Sequence, residues 1–185
     1  MRLTVIGAML LLTAGANAQG LNCPGFDLGK ASRKQVLDYL AASDARYTEN
    51  TDGLKCKAQS TVITTGDALT CDLLPSRPAA SGVMIAQPSG KVIAVTYVFP
   101  YDVGLHERIQ QQLRGRFEPI DPAQTPRQLL DLVARGELAA AYRAPNHLIW
   151  VTRPPAAITE GGASTVVFAA QKFIDLARTD PRRCQ

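Results

Sequence analysis

Histidine is scarce in this chain, with two in 185 residues, His106 and His147. No His-x-x-x-His or His-Glu-x-x-His pair is present, so a zinc site would need ligands converging from distant segments. No Gly-x-Ser-x-Gly elbow marks a serine nucleophile. Gly161-Gly162 is followed by neither the lysine nor the helix start of a phosphate loop. The four cysteines contain no Cys-x-x-Cys, which argues against a thioredoxin-like redox centre and a clustered zinc site. Asp102, Asp121, Asp131 and Glu137 show no spacing that suggests a catalytic carboxylate pair. The basic residues form no stripe interleaved with aromatics, so nucleic acid is not an expected partner. No apolar run reaches the roughly 18 residues that span a bilayer, and none is expected to stay inserted once the N-terminus is removed. No segment is low-complexity or long enough to link two domains. On these grounds no catalytic, cofactor-binding or metal-ligating residue is assigned, and no cofactor is expected.

What the chain does have begins at its N-terminus. Arg2 is followed by an apolar stretch from Leu3 to Ala14, and Ala16-Asn17-Ala18 is a small-x-small cleavage pattern. Residues 1–18 therefore read as a secretory signal peptide, with a mature chain starting at Gln19 and a periplasmic or secreted location. Removing 18 from 185 leaves 167 residues, the length of one domain with a sizeable core. Removing Arg2 leaves 19 basic against 16 acidic residues, a mild excess. Its local clusters, Arg114 with Arg116 and Arg178 with Arg182 and Arg183, read as solvated surface.

Cys23, Cys56, Cys71 and Cys184 all remain in the mature chain. An even set in an oxidising compartment reads as two disulfides. Three pairings are possible; the favoured one is Cys56–Cys71 as a local staple and Cys23–Cys184 as a clasp between the termini. Each bridge would contribute about 3 to 5 kcal/mol by loop entropy. Oxidised cysteines would not be nucleophiles.

The most informative stretch is Val83 to Phe99, which reads as an antiparallel hairpin turned at Pro88-Ser89-Gly90. Its second strand is apolar on both faces: Ile93, Val95, Tyr97 and Phe99 on one, Val92, Ala94 and Val98 on the other. Such a strand is expected to be central and covered on both sides. Trp150, Tyr97, Phe99 and Tyr142 are expected in the core. Short strands are expected over Arg46–Asn50, Gln59–Thr65, Ala68–Leu74, Glu137–Arg143 and His147–Arg153. Ser164 starts a further strand, whereas residues 169–178 fit strand or helix. Asp102 caps a helix lined by Leu105, Ile109 and Leu113 and ended by Gly115, with Gln110, Gln111, Gln112 and Arg114 facing solvent. His106 beside Glu107, and His147 in a turn, read as surface residues. The fold class is α+β, an antiparallel sheet with helices packed on it, in one exported domain over 19–185.

Two stretches look alike. Ser32 can cap a helix with Gln35 at its third position, and Val36, Leu37, Leu40 and Ala41 share a face. Thr125 can cap another, with Pro126 first, Gln128 third, and Leu129, Leu130, Val133 and Ala134 on a face. This suggests a tandem helix–strand–strand repeat, with half-repeats at 29–100 and 122–178. The run Leu28-Gly29-Lys30-Ala31-Ser32-Arg33-Lys34-Gln35-Val36 resembles the opening of small envelope modules of the BamE-like and β-lactamase-inhibitor-protein-like group. The resemblance implies a non-enzymatic module that docks another envelope or secreted protein through its sheet. The competing expectation is a small exported hydrolase, with a site assembled from distant residues around His106 or His147.

Overall fold

The computed structural model describes residues 27–42, 47–50, 61–65, 81–86, 91–155 and 162–179. The signal segment, all four cysteines, the Pro88-Ser89-Gly90 turn and the strand expected over Ala68–Leu74 lie outside them. Among the described residues the fold is α+β. In chain order the elements are α1 (Arg33–Ala42), β1 (Tyr47–Asn50), β2 (Thr61–Thr65), β3 (Ser81–Ala86), β4 (Val92–Pro100), α2 (Val103–Arg114), β5 (Glu118–Pro119), α3 (Leu130–Ala134), β6 (Leu138–Arg143), β7 (His147–Thr152), β8 (Ala163–Ala170) and α4 (Gln171–Thr179). Two 3-10 turns, Pro122–Gln124 and Arg127–Leu129, precede α3. The last stretch is therefore strand first and helix second, with the change at Gln171.

The strands form one antiparallel sheet in the order β1-β2-β3-β4-β8-β7-β6-β5. β4 lies inside it, between β3 and β8, with Tyr97 opposite Val166 and Val95 opposite Phe168. Side chains alternate along each strand, so the two residue sets of β4 and β8 supply two different cores. On one face Val95, Tyr97, Phe99, Tyr142, Ile149, Val151, Val166 and Phe168 pack with Val36 of α1 and Leu105, Ile109 and Leu113 of α2. On the other, Ala94, Ala141, Trp150, Val167 and Ala169 pack with Leu129 and with Ile174 of α4. The expectation of a central strand covered on both sides holds, as does the burial of all four named aromatics.

Local chemistry explains the helix ends. The Gln35 amide donates to Ser32 Oγ (3.2 Å), and the Ser32 amide donates to Gln35 Oε1 (2.8 Å), a reciprocal capping box. On α1 Val36 is buried, Leu37 half-buried and Ala41 exposed. Ahead of it Gly29 takes φ +78°, and its amide donates to the Val92 carbonyl (2.7 Å). This ties the N-terminal turn to the start of β4. Asp102 Oδ1 accepts from the Leu105 amide (2.6 Å), and Gly115 ends α2 as expected. Of the glutamines expected in solvent, Gln111 is exposed while Gln110 and Gln112 are not. At Gly136, with φ +69°, the Glu137 amide donates to Leu132 and the Gly136 amide to Val133. That pair is a Schellman close, which the positive φ of glycine permits.

The two look-alike stretches are not equivalent. No side-chain cap starts the second; Pro126 precedes a 3-10 turn, and α3 adds only five residues. Leu129 and Leu132, three residues apart, point inward, and the expected face of Leu129, Leu130, Val133 and Ala134 is turned away from the sheet except at Leu129. Leu130 and Val133, expected on the apolar face, are 46% and 45% exposed. The strands do form two four-strand meanders joined through their last members, β4 and β8. A twofold axis normal to the sheet could relate such meanders, and it would keep each helix on its own face. Such an axis would not carry α1 onto α3, because α1 packs on one face and Leu129 with α3 on the other.

Candidate functional site

The chemistry-bearing residues lie on the face covered by α1 and α2. His147 shares its strand phase with Ile149 and Val151, so it belongs to that face. It packs on Phe117 (ring centroids 6.3 Å apart) and Phe168 (6.0 Å). Burial pushes its pKa down, and Asp27 opposes this more weakly. His106 sits in the first two turns of α2, 5% exposed, with the Tyr101 ring 5.7 Å away. Burial is again the main cause of a lowered pKa, Arg153 adds to it, and Glu107 opposes it. The surface reading of His106 is thus corrected: the helix presses it onto the sheet. His147, read as a surface turn residue, is half-buried, with its Nε2 sealed.

The two rings do not converge. His147 opens β7, whereas Arg153, the neighbour of His106, follows its last residue. Six residues of strand separate them by roughly 20 Å. Ser164 shares a phase with Val166 and Phe168 and pairs with Phe99 on β4, which places it at the His106 end. Its Oγ is fully buried and has no hydrogen-bond partner among the described residues. Sequence reasoning missed Ser164, although a polar residue in step with Val166 and Phe168 was the available signal. The nearby acids are not arranged as a relay. Asp102 is committed to the α2 cap, and Glu107 is exposed.

The same face holds other polar groups in structural use. Tyr142 donates from its hydroxyl to the Gln110 carbonyl (3.3 Å), tying β6 to α2. Burial raises its pKa, while Arg114 pulls the other way. On the opposite face Thr152 and Thr165 pair through their hydroxyls at 2.7 Å. Arg153 donates from Nε to the Gly136 carbonyl (3.0 Å). Arg135 and Glu137 form an exposed ion pair, which lowers the Glu137 pKa through the hydrogen bond. Among the described residues no group of three or more His, Cys, Asp or Glu side chains could hold a metal ion. None of their helices is long and apolar enough to cross a membrane.

Comparison with protein-family models, with curated proteins and with solved structures found no match.

Proposed function

We propose that the mature chain is an exported, non-enzymatic protein-binding module, of the kind its opening residues resemble, whose partner is another envelope or secreted protein. The observation that carries this reading is the division of apolar surface. Both faces of β4, β6, β7 and β8 are occupied by the chain's own helices, while Leu130 and Val133 stand in solvent on α3. Leu130 and Val133 lie three residues apart on one side of this short helix and together offer a small apolar patch for a partner to cover, whereas Val103 on α2 is exposed singly. The contact then runs through the helix-covered side and not through a bare sheet face. The hydrolase reading is less well supported, because His106 and Ser164 are both sealed from a substrate and His147 lies at the other end of the sheet.

A photo-crosslinker at Val133 of the mature protein, used in its own envelope fraction, tests the proposal. A discrete adduct that disappears in Leu130→Asp supports it. Turnover of ester or peptide substrates by the purified chain, lost in His106→Gln, would establish the hydrolase instead.

A further inference from the structure

Both histidines of the chain lie in one layer. His106 is on α2 itself, and His147 is on the sheet beneath the N-terminal turn and Phe117. The layer of α3 and α4 contains no histidine. Each ring has one nitrogen shut away without a partner among the described residues, Nδ1 of His106 and Nε2 of His147. A neutral imidazole tolerates this, because the unpartnered nitrogen can be the one that carries no hydrogen. A protonated ring has donors at both nitrogens, so one would be a buried, charged and unbonded donor.

The surroundings give little relief. Arg153, at the end of β7, repels a proton on His106. Glu107, on the same helix, attracts one more weakly than burial and Arg153 oppose it. Tyr101 offers the face or edge of a ring, and Asp102 is engaged with the Leu105 amide. Around His147 the neighbours are the Phe117 and Phe168 rings, with Asp27 as the charged group acting on it.

We infer that the two histidines make the α1–α2 layer an acid-released cover: protonating His106 loosens α2, and protonating His147 loosens the turn ahead of α1. The opposite layer stays in place. Release bares the face carrying Tyr97, Tyr142, Ile149 and Phe168, a wide apolar surface that a second exported protein could take up. The inference stands independently of the proposed docking at α3.

The sign follows from linkage. Both groups are held below their ordinary value of 6.5 in the folded chain, so the opened state binds more protons. The cover is fully held above pH 6.5 and weakens as pH falls from there through the folded values.

Native-state hydrogen exchange of the full mature protein between pH 7.5 and 5, corrected for intrinsic rates, is the test. The opening equilibrium of the Ile109 and Leu113 amides should rise by up to about tenfold per pH unit for each histidine that is released. Amides of β8 should change much less. His106→Gln should flatten the α2 response, and His147→Gln should flatten the response at Gly29 and Val92. Carboxylates and the other histidine are unchanged in each variant, so any residual slope is theirs. An α2 slope in His106→Gln equal to wild type would overturn the inference. So would imidazole NMR signals of the folded wild type titrating at the ordinary value, a measurement that decides the matter even if a variant fails to fold.

Discussion

The two faces of the sheet are built on different plans. The α1–α2 face is bulky: Tyr97, Phe99, Tyr142 and Phe168 fill it, and two histidines are folded into it. The α3–α4 face is lined with Ala94, Ala141 and Ala169, with Trp150 as its one large strand residue in the buried cluster. Small residues let a helix lie close to the strands, and Phe173, Leu132 and Ile120 fill in around the rim. The lesson concerns where stability and where adaptability reside. A bulky face depends on shape matching and suffers when volume is removed. A thin face depends on close approach and suffers when volume is added.

The largest effect should come from a charge where the faces share a strand. Val95 is fully buried on β4, between β3 and β8. Val95→Asp places an unpaired carboxylate there, at a cost of several kcal/mol against a total stability of about 5 to 15 kcal/mol. Circular dichroism and thermal melting should show an unfolded chain. A wild-type-like melt would mean that the two faces do not depend on β4.

The faces themselves are separated by a pair of adjacent substitutions on β8. Phe168→Ala removes a ring from the bulky face and should cost about 3 to 5 kcal/mol in denaturant unfolding. Ala169→Leu adds volume to the thin face and should cost about 1 to 3 kcal/mol. The reverse order would show that the thin face is the more tightly specified one.

This contrast is only partly visible in the sequence. The strand pattern from Lys91 to Phe99 reveals a doubly covered strand, because apolar residues on both phases need cover on both sides of the sheet. The Ser32–Gln35 and Asp102 caps are legible because capping depends on neighbours in sequence. The pairing of β4 with β8 is not legible, since about seventy residues separate them and no local signal encodes it. His106 escapes for a simpler reason. At 3.6 residues per turn the Leu105, Ile109, Leu113 stripe drifts by about 40° per step, so Leu113 lies about 80° round and close to His106 at 100°. The face that buries the leucines therefore buries the histidine too. The α3 face departs from the expected one because the helix is only five residues long and meets the sheet through Leu129 and Leu132, a choice between two apolar stripes that only the tertiary packing makes. β5 gives no signal because it is two residues long and ends in Pro119, which suits a short edge strand.

The smallest predicted difference separates the two look-alike helices. In α1 the Ser32 hydroxyl accepts the Gln35 amide and Gln35 returns the bond, so two otherwise orphaned amides are satisfied at once. Ser32→Ala should cost about 0.5 to 2 kcal/mol, the range for lost caps. Thr125 has no such task. Its own amide bonds to Pro122, Pro126 takes the place before the next turn, and Pro126 has no amide to be capped. Gln128, the supposed partner in a second box, reaches instead to the Ile174 carbonyl on α4 (3.5 Å). Thr125→Ala should therefore change stability by no more than about 0.5 kcal/mol, like a surface substitution away from any special feature. Urea unfolding of both variants against wild type measures the difference directly. Equal losses would mean that Thr125 caps in solution, and would restore the case for a repeat. Unequal losses would leave the likeness of the two stretches as one of amphipathic sequence alone, with a capped helix on the bulky face and an uncapped one on the thin face.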